Sequence, residues 1–212
     1  MFTSIIRFFQ DGGSFMYPIM IVLAIGLAIA IERYIYLTIA KRNNRKVLSA
    51  LLPLLQKGDY QQAYNDTATS KLAVSRMLSQ GLSRYKSATN RDDIEAAIEE
   101  SMLEAIPRLE KRTHYLATFA NIATLLGLLG TIIGLIKAFT AVAQVDPAMK
   151  AEILSTSISV AMNTTAFGLM VAIPLLLIYA ILQTKTTEII DSLEMATVKF
   201  VNLLMQRKSP SA

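Results

Sequence analysis

The sequence contains no cysteine and a single histidine, His114. The lack of cysteine excludes disulfides, zinc fingers and thiol catalysis. A lone histidine at the start of an apolar segment is expected to be an interfacial residue and not a ligand. The sequence also shows no phosphate-binding glycine-rich loop, no activated nucleophile and no paired carboxylates. We therefore expect a protein that is not an enzyme and that has neither a cofactor nor a metal site.

Charged side chains are missing from three long segments, and each segment predicts a membrane-spanning helix. The segments are residues 12–31, 115–136 and 153–184, with lengths of 20, 22 and 32 residues. Because a helix needs about 20 residues to cross the hydrocarbon core, all three are long enough. The first exceeds the apolar part of a secretory signal, and Glu32-Arg33 follows it where a cleavage site would lie. We expect this segment to remain in the mature protein.

The basic residues are unevenly distributed, and their distribution predicts the orientation of the chain. Of 21 Lys and Arg residues, 18 lie within residues 33–112 or from residue 185 onward. The positive-inside rule places these two regions on the cytoplasmic side of the membrane. The N-terminus and the short loop at residues 144–152 are then periplasmic, and the C-terminus is cytoplasmic. Topology thus explains the basic residues, and no nucleic acid partner is expected.

Apolar periodicity predicts an all-α, polytopic membrane protein whose three transmembrane helices extend into a cytoplasmic helical bundle. One helix of the cytoplasmic insert is expected to end at Lys57-Gly58-Asp59. No turn signal separates residues 92–112 from the second span, so we expect one long helix there, with a kink at Pro107. The predicted organisation is an outer segment 1–14, transmembrane helix 1 at 15–40, a cytoplasmic insert 41–114, transmembrane helix 2 at 115–143, a periplasmic loop 144–152, transmembrane helix 3 at 153–184 and a cytoplasmic C-terminal helix 185–212.

Polar side chains within the second and third spans are the candidate site. Thr131 lies 13 residues before the predicted loop and Thr165 lies 13 residues after it, so both are ~20 Å below the loop. Asn163 and Thr164 directly precede Thr165. Single threonines often bond to their own helix, but two at matched depth beside an amide suggest a polar path. Because an unpaired amide in hydrocarbon costs a few kcal/mol, we expect Asn163 to face protein or water.

Small residues recur at spacings of three and four in the same two spans. Such residues allow helices to approach closely in lipid, and this packing role alone is one reading of the glycines. In the other reading they also shape the helices around a pore. Pro174 frees a backbone carbonyl deeper in the third span. The residues assigned to this packing are Gly127, Gly130, Gly134, Gly168 and Pro174.

Carboxylates are absent from both of these spans. No Asp or Glu occurs in residues 113–145 or 153–187, and Lys137 is the only charged residue in the second span. A proton relay through the membrane normally needs a titratable carboxylate. If the chain moves ions, we expect a partner to supply that group.

The polar spans resemble a known family. Residues 125–139, LLGLLGTIIGLIKAF, and residues 157–174, SISVAMNTTAFGLMVAIP, are similar to the second-span and third-span signatures of the ExbB, TolQ and MotA family. The resemblance implies a homopentamer whose second and third helices enclose a pore. It also implies a single-span ExbD or TolR-like partner with an essential Asp, and a TonB-like protein that receives the work. Thr131 and Thr165 match the pore threonines of the family.

Two positions depart from the family pattern. Val160 stands where the better-known ExbB and TolQ proteins carry a glutamate, and Thr124 replaces a common proline. The choice between proton and sodium is therefore open, because Asn163, Thr164 and Thr165 are candidate sodium ligands. The predicted function is an ExbB-like subunit that couples ion flow to TonB-dependent energy transduction to the outer membrane. A TolQ-like subunit and a non-conducting scaffold for a partner helix are the alternatives.

Overall fold

The computed structural model describes residues 12–70, 72–85 and 90–208, and this part of the chain is helical without strands. Three helical stretches are long and apolar enough to cross a membrane: Met16–Lys57, Arg91–Val142 and Pro147–Gln206. The predicted all-α class with three candidate spans is therefore confirmed. The helices are α1 (Met16–Lys57), α2 (Tyr60–Ala68), α3 (Ala73–Tyr85), α4 (Arg91–Glu110), α5 (Thr113–Val142) and α6 (Pro147–Lys208).

Helix α1 continues without interruption from the first apolar segment into the predicted insert. It ends at Lys57, where Gly58 adopts a positive φ of 86°. Glycine reaches this left-handed conformation without a steric penalty, which is why it often terminates helices. The predicted helix end at residues 57–59 is confirmed.

The expectation of one uninterrupted helix through residues 92–112 into the second span was wrong. Helix α4 ends at Glu110 and α5 begins at Thr113. Pro107 lies inside α4, and its carbonyl accepts a bond of 3.0 Å from the N–H of Lys111. The helix is then interrupted at Arg112, because the φ of 64° at this residue is incompatible with a continuing right-handed helix. No glycine marks this position, so the sequence pattern did not reveal it.

Helices α5 and α6 are joined by residues 143–146. This connection is shorter than the nine-residue loop predicted at 144–152, because α6 begins at Pro147, and proline favours the first turn of a helix. The predicted continuation of the third span into the C-terminal helix is confirmed through Lys208. Residues 1–11 of the predicted outer segment and residues 209–212 lie outside the described residues.

The chain divides into two compact units. The first comprises the described residues up to Glu32 together with Arg112–Ile181, and the second comprises Arg33–Lys111 together with the described residues from Leu182 onward. Each unit has its own buried apolar side chains. Those of the first unit include Met16, Ile19, Leu116 and Leu175, and those of the second include Leu78, Ile94, Ile98 and Phe200.

A buried arginine lies within the second unit. Arg33 is 2% exposed, and its Nη2 donates a hydrogen bond to the carbonyl of Leu109 in the last turn of α4. Its guanidinium carbon lies 4.7 Å from the ring centroid of Tyr36. The last carbonyls of a helix have no partner within the helix, so a cation at this position stabilises the end of α4.

Replacement of Arg33 by methionine is expected to destabilise the second unit by about 1–3 kcal/mol, because the buried Leu109 carbonyl loses its donor. Thermal unfolding of the purified protein in detergent measures this change. Arg108→Met is the matched control, since Arg108 is exposed and lies in the same turn of α4 as Leu109. Equal unfolding temperatures for the two variants would contradict the capping role.

Candidate functional site

Helices α5 and α6 approach each other closely at two glycines. A Cβ atom added to Gly168 would lie 2.7 Å from the carbonyl oxygen of Ala123 and 3.2 Å from the Cα of Gly127. A Cβ atom added to Gly127 would lie 3.2 Å from the Cα of Thr165. All three distances are to backbone atoms, which cannot rotate away. The glycines therefore allow backbone-to-backbone contact between the two spans.

Of the other residues predicted to pack here, Gly130 and Gly134 also lie close to α6, whereas Pro174 lies outside these contacts. A Cβ atom on Gly134 would lie 3.0 Å from the Cβ of Ala161, and one on Gly130 would meet the side chain of Thr164. These glycines therefore lie at close contacts between α5 and α6, and their role in packing around a pore stays a prediction. Pro174 lies within α6 as an exposed residue, and these glycine contacts do not include it.

The structure brings Thr131 and Thr165 together beside the glycine contact. Their Oγ1 atoms are within hydrogen-bonding distance of each other. The carbonyl oxygen of Gly127 lies 3.1 Å from the Oγ1 of Thr131 and 3.0 Å from the Oγ1 of Thr165. Both threonines are half-buried. The matched depth inferred from the sequence thus corresponds to direct contact.

The hydroxyls of Thr131 and Thr165 have lone pairs that accept no hydrogen bond from the described groups around them. Each hydroxyl carries one proton and two lone pairs. Two protons serve the mutual contact and the Gly127 carbonyl, so lone pairs remain on the two oxygens. Such oxygens accept a hydrogen bond or help to coordinate a cation. This is the chemical capability of the site within one chain.

The three consecutive polar residues of α6 point in different directions, because successive helical residues are about 100° apart. Thr164 is 2% exposed, and its Oγ1 donates a bond of 2.6 Å to the carbonyl of Gly12. It therefore packs against the segment that precedes α1. Asn163 is half-buried and makes no hydrogen bond within the described residues. Within the described residues, Thr165 contacts Thr131 whereas Thr164 bonds to Gly12, so these two candidate sodium ligands have different neighbours.

A polar row continues from Asn163 toward the start of α6. Ser155 and Ser159 precede Asn163 by eight and four residues, so the three lie on one helix face. Both serines are exposed. Polar side chains in a membrane usually face a protein interior or a water-filled cavity. We expect this face to contact another protein chain or water.

Val160 is one of the two positions that we expect, from the resemblance, to depart from the family pattern. It is half-buried, and a Cβ atom added to Gly13 would lie 3.3 Å from its Cγ1 atom. An apolar group thus faces the Gly12–Gly13 segment. Sequence reasoning missed this contact, because nothing in the pattern shows that Gly12 and Gly13 lie against α6. Across residues 12–70, 72–85 and 90–208, no group of three His, Cys, Asp or Glu is arranged to hold a metal ion.

Comparison with known proteins agrees with this architecture. Residues 69–195 match the family described as the MotA/TolQ/ExbB proton channel family. A putative biopolymer transport protein ExbB homolog of Methanothermobacter thermautotrophicus is 29% identical over 197 residues, which cover 92% of this chain and 68% of that protein. The biopolymer transport protein ExbB of Aquifex aeolicus is 33% identical over 111 residues, 52% of this chain and 72% of its own length.

A TolQ protein is also similar. The Tol-Pal system protein TolQ of Haemophilus influenzae is 33% identical over 93 residues, which cover 44% of this chain and 40% of TolQ. Together with the three apolar helices, these matches identify a membrane protein of a channel-type family. The chain belongs to the MotA/TolQ/ExbB proton channel family.

Proposed function

We propose that this chain is an ExbB-like subunit of an ion-driven complex in the bacterial inner membrane. It couples a flow of protons or sodium ions to TonB-dependent energy transduction to the outer membrane. The N-terminus is periplasmic and the C-terminus is cytoplasmic. The observation that carries the proposal is the contact between Thr131 and Thr165. Their hydroxyl oxygens have lone pairs that can bind an ion, and they lie beside the close contact of Gly127 with Gly168.

The proposed complex is larger than one chain, and two features support this. The spans containing Thr131 and Thr165 have no carboxylate, so a transferable proton or a cation counter-charge has to come from a partner. In the polar row, Ser155 and Ser159 are exposed and Asn163 is only half-buried by the described part of the chain. A homopentamer that encloses an ExbD or TolR-like single-span helix with an essential Asp meets both requirements.

Co-purification and flux measurements test the proposal. We expect the full-length chain to co-purify with a small single-span protein that has an Asp in its span. Proteoliposomes that contain both proteins are expected to conduct ions, whereas the same complex with that Asp changed to Asn is expected not to. A complex that assembles but carries no flux would instead support the non-conducting scaffold.

A TolQ-like role is the second candidate, because TolQ of Haemophilus influenzae is among the similar proteins. Deletion of the gene separates the two roles by phenotype. A loss of TonB-dependent uptake with an intact cell envelope supports the ExbB-like role. An envelope defect with normal uptake would contradict it and favour the TolQ-like role.

A further inference from the structure

The part of α1 that follows the predicted first span carries an unbalanced positive charge. Residues 33–57 contain six basic residues, Arg33 among them, and no Asp or Glu. Four of the six, Lys41, Arg42, Arg45 and Lys46, follow directly after the predicted end of the span at residue 40. The orientation rule accounts for the number of these charges, but it does not require them to form a shaped site.

In the second unit these residues line an open groove, to which α6 contributes Lys185. The groove residues are Thr38, Lys41, Arg42, Arg45, Lys46 and Lys185. The Nζ of Lys185 donates a hydrogen bond of 3.2 Å to the Oγ1 of Thr38 and lies 3.7 Å from the ring centroid of Tyr34. These contacts hold the Lys185 ammonium group at the groove wall.

Acidic side chains neutralise little of this charge. The Nζ of Lys41 lies 2.5 Å from an oxygen of Glu188. The hydrogen bond and the charge of Lys41 hold the pKa of Glu188 below its usual value, so this carboxylate stays ionised at neutral pH. Within the described residues, Arg42, Arg45 and Lys46 form no ion pair with an acidic residue. All three side chains are exposed.

We propose that this groove binds the phosphate headgroup of an anionic phospholipid. Arginine guanidinium groups bind phosphate oxygens through paired hydrogen bonds, and lysine adds a compact positive charge. A cluster of basic residues directly after a span lies at the depth of the headgroups. The hydroxyl of Ser49, which also lines the groove, is a further donor. The site requires that α1 crosses the membrane, and it is independent of ion conduction.

Lipid retention in detergent tests the proposal on the full-length chain. The protein is equilibrated with an equimolar mixture of phosphatidylglycerol and phosphatidylcholine and repurified, and the bound lipids are quantified by mass spectrometry. We expect selective retention of phosphatidylglycerol. In the triple variant Arg42→Gln/Arg45→Gln/Lys46→Gln, the affinity of the protein for phosphatidylglycerol is expected to fall at least about 10-fold. Each basic residue near an anionic headgroup contributes a factor of about five to this affinity.

The matched control removes the same charge elsewhere. The variant Arg76→Gln/Lys150→Gln/Lys199→Gln is expected to retain phosphatidylglycerol like the unmodified protein. Equal losses in both triple variants, or unchanged retention in the groove variant, would overturn the proposal. A third arm adds inorganic phosphate at the lipid concentration and measures thermal unfolding. Stabilisation by phosphate equal to that by phosphatidylglycerol would also overturn it, because the ligand would then be a soluble anion.

Discussion

Replacement of both Thr131 and Thr165 by valine is expected to reduce ion flux through the complex at least about 10-fold while leaving the amount of assembled complex unchanged. Valine has nearly the same shape as threonine and the same branching at Cβ, so the glycine contact beside the pair is preserved. The lost hydroxyls remove the lone pairs that would coordinate a cation or accept a hydrogen bond from the protonated Asp of the partner. A hydrogen bond to a charged group contributes about 1.5–3 kcal/mol, which corresponds to roughly 10-fold to 100-fold.

Flux into proteoliposomes and complex yield are the two measurements for this double variant. Thr131→Ser/Thr165→Ser retains the hydroxyls and is expected to conduct. Thr124→Val is the control for a threonine in the same span whose hydrogen bond, within the described residues, goes to its own helix: its Oγ1 donates to the Ala120 carbonyl at 3.1 Å. Normal flux in the valine double variant would exclude the hydroxyl pair from the ion path. A reduced yield of complex would show that the pair serves assembly instead.

Substitution of Gly168 by alanine is expected to destabilise the packing of α5 against α6. The added Cβ atom would lie 2.7 Å from the carbonyl oxygen of Ala123, and neither backbone can move without separating α5 from α6. Overpacking of this kind costs about 1–3 kcal/mol. Thermal unfolding of the complex in detergent, together with its yield, measures the effect.

Gly26→Ala provides a matched control for the same chemical change in the same unit. Its Cβ atom would lie 2.9 Å from Cδ2 of Leu175, which is the end of a flexible side chain. Leu175 can shift its rotamer, so we expect a change below about 1 kcal/mol. If Gly26→Ala and Gly168→Ala destabilised the complex equally, the contact at Gly168 would not be the determining one.

Much of the fold could be predicted because the membrane imposes strong demands on composition. Residues 12–31, 115–136 and 153–184 lack charge, and only helices of such length satisfy their backbone groups in lipid. The sequence also predicted a matched depth for Thr131 and Thr165, by counting from the loop predicted at residues 144–152, whereas the direct contact between their hydroxyls is seen only in the structure.

The sequence by itself therefore determined the all-α fold class, the three candidate membrane spans and the matched depth of Thr131 and Thr165. The tertiary structure decided the break at Arg112, because a positive φ at a residue other than glycine leaves no mark in apolar periodicity. It also decided that Thr164 bonds to Gly12, away from Thr165, since that contact joins residues 152 positions apart. Periodicity reports which face of a helix is apolar, whereas the neighbour of each polar side chain depends on how the helices pack.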